Sequence, residues 1–183
     1  MIYRFTIISD EVDGFLREIK IDSDATFYDL HLAITKCTDF SAKEMASFVI
    51  CDDNWEKEKE ITLEDMGSSS EDDIYLMRDT KLGDLIEDEK QKLRYVFDYM
   101  TERAFFIELS EIITGKDINE ALCSKSVGVP PKQIMDFDEA NLNTDVNHEE
   151  LDDDFYGSES YNDDDISSDD FNIEEVEGGD DLL

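Results

Sequence analysis

The sequence is poor in the residues that build metal centres and disulfide frameworks. Its 183 residues include three cysteines and two histidines. Cys37, Cys51 and Cys123 form an odd set without the C-x-x-C spacing of zinc and redox motifs. We therefore expect buried, reduced thiols, and we expect neither a metal ion nor a cofactor.

Long apolar segments are also missing. The sequence contains no run of about 18 apolar residues, the length that a membrane-spanning helix needs. It opens on MIYRFTIISDEVDG, which alternates apolar and polar residues and reaches acidic residues early, unlike a secretory signal peptide. These features predict a cytoplasmic protein without a membrane segment.

Positive charge is absent from the last part of the chain. Residues 134–183 hold 20 Asp and Glu and no Lys or Arg, whereas residues 1–133 hold 30 acidic and all 16 basic residues. The net charge of −34 thus divides into −14 for the first part and −20 for the second. A DNA-binding protein must neutralise phosphates with Lys and Arg, so we expect no direct binding to nucleic acid.

The same asymmetry predicts the domain organisation. We expect a folded α+β domain over residues 1–133 and a disordered acidic tail over residues 134–183. Pro130 and Pro131 end the folded part, because they donate no backbone hydrogen bond and push Val129 towards an extended conformation.

The predicted tail carries aromatic side chains among its acids. We name Phe155, Tyr156 and Phe171 as candidate interaction residues, because buried rings would supply the part of the affinity that salt does not screen. The expected partner is a protein with a basic surface. A tail that only keeps the protein soluble is the alternative, and the sequence leaves the oligomeric state open.

Alternating apolar residues predict two hairpins in the domain. The turns are residues 10–14 and 100–103, and the second is predicted as a type I turn in which no residue demands positive φ. Arg17 interrupts the apolar face of the first hairpin. The inward residues are Tyr3, Phe5, Ile7, Phe15, Ile19 and Ile21 in the first hairpin, and Leu93, Tyr95, Phe97, Tyr99, Phe105, Ile107 and Leu109 in the second.

Between the hairpins the apolar spacing becomes that of a helix. Thr26 is a capping residue and Asp29 lies in the first turn, while the inward positions are Phe27, Leu30, Ala33, Ile34 and Cys37. This amphipathic helix should pack on one face of an antiparallel or mixed β-sheet. A hairpin followed by such a helix also opens β-grasp domains, so we predict a β-grasp-like start by analogy of topology.

Shorter elements fill the rest of the domain. Residues 48–51 and 74–77 predict strands, and residues 82–85 predict a short helix. Asp117 is predicted to cap a helical turn that contains Ile118, Ala121 and Leu122. The charged run at residues 56–60 predicts a solvated loop or an exposed edge.

Several short motifs fall in an order that resembles a known family. They are Tyr3-Arg4-Phe5, Phe15-Leu16-Arg17-Glu18-Ile19, Leu30-His31, Phe48-Val49-Ile50, Leu82-Gly83-Asp84-Leu85, Tyr95-Val96-Phe97-Asp98-Tyr99, Ile107-Glu108-Leu109, Cys123 and Gly128-Val129-Pro130-Pro131. Over residues 1–131 this order resembles the plasmid pRiA4b ORF-3-like family. The resemblance implies that family's fold and an association with plasmids and transposable elements, and it implies no particular biochemical activity.

The chain departs from the family's pattern at two places. Family members usually carry a Gly-Asp pair, a Trp and a His after the aspartate-aromatic step, and acidic residues after the double proline. Here those places hold Met100, Thr101, Arg103, Phe105, Lys132 and Gln133. The resemblance therefore transfers the fold and no functional residue.

No set of residues in the sequence predicts catalysis, so we favour a non-enzymatic interaction module. The alternative is a small-molecule enzyme that uses Asp98 and Glu108, the carboxylates of the second hairpin. It requires both carboxylates to be partly buried in one cavity and to have raised pKa values. His31 has no second histidine nearby in the domain, which favours a surface or packing role over a role as ligand or base.

Overall fold

One β-sheet, one α-helix and one short 3-10 helix make up the described part of the protein. The computed structural model describes residues 1–65 and 75–135. The elements are β1 (Ile2–Ile8), β2 (Leu16–Asp22), α1 (Phe27–Thr38), β3 (Ser47–Cys51), β4 (Lys57–Thr62), β5 (Tyr75–Leu76), a 3-10 helix (Leu82–Asp84), β6 (Lys92–Asp98), β7 (Arg103–Ile113) and β8 (Leu122–Val127). The strand order is β5-β4-β3-β6-β7-β1-β2-β8. Only β4 and β5 pair in parallel among these strands, so the predicted mixed sheet is confirmed.

The opening hairpin forms as its alternation predicts. β1 and β2 pair antiparallel, with Phe5 opposite Ile19 and Tyr3 opposite Ile21. These inward side chains are buried in the core. Arg17 is only 4% exposed on the same face, where backbone carbonyl groups accept hydrogen bonds from its guanidinium.

Helix α1 begins at the predicted cap and packs on one face of the sheet. The Thr26 hydroxyl accepts a hydrogen bond from the Asp29 N–H at 3.2 Å, and the Asp29 carboxylate accepts one from the Thr26 N–H at 2.8 Å, which closes a capping box. The Phe27 ring packs 5.4 Å from the ring of Phe48 on β3. The predicted hairpin and helix are confirmed, whereas the β-grasp-like layout stays a prediction.

The second hairpin forms the middle of the sheet, but its turn differs from the prediction. β6 ends at Asp98 and β7 starts at Arg103, so the loop is residues 99–102. Glu102 has a φ of 54°, so the expected turn without positive φ is wrong. The Asp98 carboxylate accepts hydrogen bonds from the Met100 N–H at 3.0 Å and the Thr101 hydroxyl at 2.7 Å, which hold the loop up to Thr101, and the chain then enters β7 through the left-handed Glu102.

The helical turn predicted after Asp117 is also wrong. Residues Leu122–Val127 form β8 instead, because pairing with β2 satisfies their backbone groups better than an isolated helical turn. Since β8 is an edge strand, Cys123 is exposed, which contradicts the expectation of three buried thiols. Cys51 is buried and Cys37 is half-buried.

The remaining short elements follow the sequence closely. Leu82–Asp84 is the short helix, and Tyr75–Leu76 is the middle of the strand predicted at residues 74–77. Much of the charged run at residues 56–60 lies in β4 as an exposed stretch of strand. No helix in the described ranges is long and apolar enough to cross a membrane.

Candidate functional site: an acidic groove

The two carboxylates of the enzyme hypothesis lie at opposite ends of the second hairpin. Glu108 is opposite Lys92, the first residue of β6, whereas Asp98 is the last residue of that strand. At the rise of an extended strand, the two acids are roughly 20 Å apart. Asp98 is 9% exposed and Glu108 is exposed on the surface. Neither of them lines the surface pocket beside Cys51 or the one beside Ile21 in the described part of the chain.

The titration of Asp98 also differs from what the enzyme hypothesis requires. Burial alone would raise the pKa of this carboxyl group, but hydrogen bonds from Thr101 and Met100 and the charge of Arg103 outweigh burial and lower the pKa. Asp98 therefore stays ionised at neutral pH and shapes the hairpin loop. The carboxylate pair proposed from the sequence does not form a catalytic site.

Asp98 instead belongs to a group of residues that we call the Arg103 cluster. It consists of the paired charges of Arg103, Asp98 and Glu11 together with the neutral Gln133. The Arg103 guanidinium donates to both carboxylate oxygens of Glu11, at 2.9 and 2.7 Å, and lies 3.6 Å from the Asp98 carboxylate. It also donates to the Lys132 carbonyl at 2.7 Å. The cluster thereby fastens the chain beyond the two prolines to the tip of the hairpin.

The Gln133 side chain completes this attachment. Its amide oxygen accepts a hydrogen bond from the Ser41 N–H at 2.7 Å, and its amide nitrogen donates to the Ser41 carbonyl at 2.9 Å. The two places where the chain departs from the family's pattern, at residues 100–105 and at residues 132–133, thus lie against each other. Their polar groups bond to one another, which assigns them a structural role.

A different kind of site opens at the end of β6 that lies away from Asp98, where β3 ends. It is a groove of about 670 Å³, which we call the acidic groove. Cys51 of β3 is opposite Lys92 of β6, and this pairing brings the turn after β3 beside the connection before β6. The groove is lined by Cys51, Asp52, Asp53, Glu58, Lys59, Asp84, Leu85, Glu87, Asp88, Glu89, Lys90, Gln91 and Lys92.

One wall of the acidic groove is the turn after β3, which its own side chains hold in shape. The Asp52 carboxylate accepts hydrogen bonds from the N–H groups of Asn54 and Glu56, both at 2.8 Å. Lys92 donates to the Asp53 carbonyl at 2.6 Å and lies 5.2 Å from the Trp55 ring. The turn is therefore preorganised, with the Asp53 side chain exposed at its tip.

The opposite wall is the connection between the 3-10 helix and β6, which Gln91 holds in shape. Its side-chain nitrogen donates to the Leu85 carbonyl at 2.9 Å, and its side-chain oxygen accepts from the Glu87 N–H at 3.0 Å. The Lys90 N–H donates to the Leu109 carbonyl at 2.7 Å. These bonds fix the backbone, and two of the acidic side chains also accept backbone hydrogen bonds: Glu89 from the Ile112 N–H at 2.8 Å and Asp84 from the Lys81 N–H at 3.3 Å.

The balance of charge in the acidic groove is strongly negative. Seven of its lining residues are Asp or Glu and three are Lys. Six of the seven acids are exposed, and Asp52 is half-buried. Across residues 1–65 and 75–135, none of the seven forms an ion pair with Lys or Arg. Seven carboxylates against three lysines leave the groove with an excess of four negative charges.

His31 has the packing role that the sequence favoured. It is fully buried, and its Nε2 donates to the Ala42 carbonyl at 3.3 Å, which leaves Nδ1 to accept a hydrogen bond from the Tyr95 hydroxyl at 2.8 Å. Burial lowers the pKa of His31, so the ring is neutral at physiological pH. The pair joins α1 to the middle of the sheet and takes no part in the acidic groove.

The predictions for the tail concern residues outside the described part of the chain. The candidate interaction residues Phe155, Tyr156 and Phe171, and the predicted tail beyond residue 135, lie outside the described residues. In the described part, no group of three or more His, Cys, Asp or Glu side chains has the arrangement of a metal site.

Comparisons with known proteins place the chain in a family. Curated proteins give no match. Among solved structures, a protein of unknown function from Methanosarcina mazei Go1 has a similar fold, with a TM-score of 0.53 and 17% identity over 68% of this chain and 68% of that one. The model of the plasmid pRiA4b ORF-3-like family matches residues 2–175, beyond the residues 1–131 that carried the resemblance. The chain belongs to the plasmid pRiA4b ORF-3-like family.

Proposed function

We propose that this protein is a non-enzymatic interaction module that binds a basic segment or surface of a partner protein in the cytoplasm. The observation that carries the proposal is the acidic groove, where seven carboxylates face three lysines on a preorganised backbone. Concave surfaces lined by charge of one sign focus the electrostatic field and speed the encounter with an oppositely charged partner. A Lys- and Arg-rich segment is the complementary ligand.

The rigidity of the groove favours binding over a purely solubilising role. Asp52 and Gln91 hold its two walls through hydrogen bonds to the backbone. A partner therefore does not have to order the walls when it binds, and this lowers the entropic cost of association. Exposed carboxylates scattered over a surface for solubility need no such framework.

The predicted tail belongs to the same proposal. Residues 134–183 carry 20 acidic residues and no basic residue, so they attract the same class of partner as the groove. Phe155, Tyr156 and Phe171 would supply apolar anchors, since burying one such ring contributes roughly 1.5 to 3 kcal/mol. Groove and tail together would give a binder whose affinity falls with salt but does not vanish.

The separation of Asp98 and Glu108 favours this module over an enzyme. A catalytic carboxylate pair needs a shared cavity, and the two residues lie at opposite ends of the hairpin. The low pKa of Asp98 removes a general acid at neutral pH. The net charge of −34 likewise favours a protein partner over direct contact with nucleic acid.

Binding of a defined basic probe tests the proposal. We suggest measuring the dissociation constant of a labelled Lys- and Leu-containing peptide by fluorescence anisotropy, at low and at physiological ionic strength. The groove variant carries Asp53→Asn, Glu58→Gln and Glu87→Gln. The control variant removes the same charge at exposed positions outside the groove lining, with Asp13→Asn, Glu102→Gln and Glu120→Gln.

We expect the groove variant to bind the peptide about tenfold more weakly than the control variant, because only the former loses charges that face the ligand directly. A chain ending at Met135 keeps the Gln133 contacts and reports the share of the tail. Equal losses in both charge variants would overturn the groove as the binding site. Loss on truncation alone would assign the binding to the tail.

A further inference from the structure

Two cysteines that are far apart in the sequence come together at the edge of the sheet. Cys37 lies in the last turn of α1, half-buried against the core. Cys123 lies on β8 opposite Ile19 of β2, and Ile19 is fully buried in the core. Residues directly opposite each other in neighbouring strands project to the same face. The Cys123 side chain therefore lies on the face that the helix covers.

Arg17 holds the two elements that carry these cysteines. Its Nε donates to the Cys37 carbonyl at 2.9 Å, while Nη1 donates to the Val127 carbonyl at 2.6 Å and Nη2 to the Gly128 carbonyl at 3.2 Å. One buried guanidinium thus joins the end of α1 to the end of β8. The arrangement keeps the last turn of the helix beside the edge strand.

Cys123 is near enough to Cys37 in this arrangement to affect the pKa of the Cys37 thiol. Burial and then the neighbouring Cys123 raise the pKa of Cys37 to about 12, and the Arg17 charge acts in the opposite direction. Cys37 is therefore a protonated thiol in the resting protein. Cys123 is exposed, so it is the thiol that an oxidant in solution reaches first.

We propose that Cys37 and Cys123 form a redox-active pair that closes to a disulfide with hydrogen peroxide and reopens with a thiol reductant. The Cys123 thiolate attacks the peroxide, forming an S–O bond as the O–O bond breaks and water leaves after proton transfer. Cys37 then attacks the Cys123 sulfenic acid, forming the S–S bond and releasing a second water. In total, two thiols lose two electrons and two protons, and one peroxide becomes two waters.

Cys37 must lose its proton to attack the Cys123 sulfenic acid. The Arg17 guanidinium is the nearby charge that favours the Cys37 thiolate in this step.

The disulfide would fasten the edge strand to the helix. All six residues of β8 are exposed, and the strand pairs with β2 on one side. A bond from Cys123 to Cys37 would restrain this strand against local opening. Cys51 supplies the internal control, because it is buried in β3, and its thiol contacts the Val49 carbonyl of its own strand at 3.5 Å.

The test treats the reduced full-length protein with one equivalent of hydrogen peroxide, blocks free thiols by alkylation and maps the cysteines by mass spectrometry. We expect a mass lower by two hydrogens before alkylation, a Cys37–Cys123 linked peptide, an alkylated Cys51, and reversal by dithiothreitol. Cys51→Ala should behave as the natural chain. In Cys37→Ser, Cys123 should stop at a sulfenic acid that dimedone traps.

Two results would overturn the redox pair. One is oxidation of Cys123 to sulfinic acid in the natural chain with Cys37 still alkylated. The other is a link between the Cys123 residues of two chains with no internal disulfide. Both are read from the natural chain, so the conclusion does not depend on whether a cysteine variant folds.

Discussion

The Arg103 cluster and the acidic groove contain the same types of acidic residue, Asp and Glu, but place them in opposite environments. In the cluster, the carboxylates of Glu11 and Asp98 face a guanidinium that is 10% exposed, and their side chains are 30% and 8% exposed. In the groove, carboxylates such as Asp53 and Glu87 are exposed, and no ion pair is found for them in the described ranges. The comparison teaches that compensated acids hold this fold together, whereas uncompensated acids remain available to a partner.

Removal of the Arg103 guanidinium should lower the unfolding free energy more than any other change proposed here, because it disrupts the paired charges of the Arg103 cluster. Arg103→Met leaves Asp98 and Glu11 without this cation and removes the guanidinium that donates to the Lys132 carbonyl. Losing one partner of a largely buried ion pair costs roughly 3 kcal/mol of unfolding free energy. Urea denaturation measures it. Arg78→Met, at an exposed arginine beside Tyr28, is the control and should cost about 0.5 kcal/mol; equal costs would contradict the structural role of the cluster.

The backbone near the same end of the sheet should be nearly as sensitive. Gly128 has a φ of +72°, and an added Cβ would lie 2.8 Å from the Gly14 carbonyl oxygen. Gly128→Ala should therefore cost about 2 kcal/mol in unfolding free energy. Gly115→Ala is a matched control with a φ of +71° and open space around the Cβ, so it should cost about 1 kcal/mol. Similar values for the two would show that the close approach at Gly128 relaxes freely.

His31 adds a third case to the comparison, because it is a titratable group that is buried and is not paired with a charge among the described residues. Burial lowers the pKa of His31 in the folded protein below its ordinary value of 6.5. The unfolded chain then binds a proton more readily, so stability is present above about pH 6.5 and is lost as pH falls towards the folded-state pKa, by up to about 1.4 kcal/mol per pH unit. The measurement is the unfolding free energy against pH for the natural chain and His31→Gln. The carboxylates titrate in both proteins, so an unchanged difference between them would contradict this role of His31.

Neutralising the acidic groove should have the smallest effect on stability. Asp53→Asn, Glu58→Gln and Glu87→Gln remove negative charges that repel one another and lack cationic partners in the described structure. We expect the unfolding free energy to stay within about 0.5 kcal/mol of the natural value or to rise slightly. Thermal unfolding at low ionic strength measures it. A loss of several kcal/mol would place the groove among the structural features of the fold.

Local patterns predicted much of the fold. Alternation identified the strands around Phe5 and Phe97, and the Thr26 and Asp29 pair identified the start of α1, because these signals lie within a few neighbouring residues. The strand Leu122–Val127 was missed because its stability comes from pairing with β2, which is distant in the sequence. The turn length alone revealed neither the positive φ of Glu102 nor the hydrogen bonds by which the Asp98 side chain holds the loop.

The candidate site was harder to predict than the fold. Its two acidic stretches are visible in the sequence, but they become one groove only because Cys51 of β3 lies opposite Lys92 of β6. The Arg103 cluster likewise joins Glu11 to Gln133, which are far apart in the sequence. Arg17 was a readable signal, since a cation at an inward strand position requires buried acceptors, which the carbonyls of Cys37 and Val127 supply.

The location of a bound basic peptide tests the central claim most directly. Amide hydrogen exchange of the full-length protein, with and without the Lys- and Leu-containing peptide, would map the contact residue by residue. The account predicts slower exchange at residues 51–53, 84–85 and 87–92, which line the groove, with no change around Arg103. Protection confined to other parts of the chain, or none at saturating peptide, would contradict the acidic groove as the binding site.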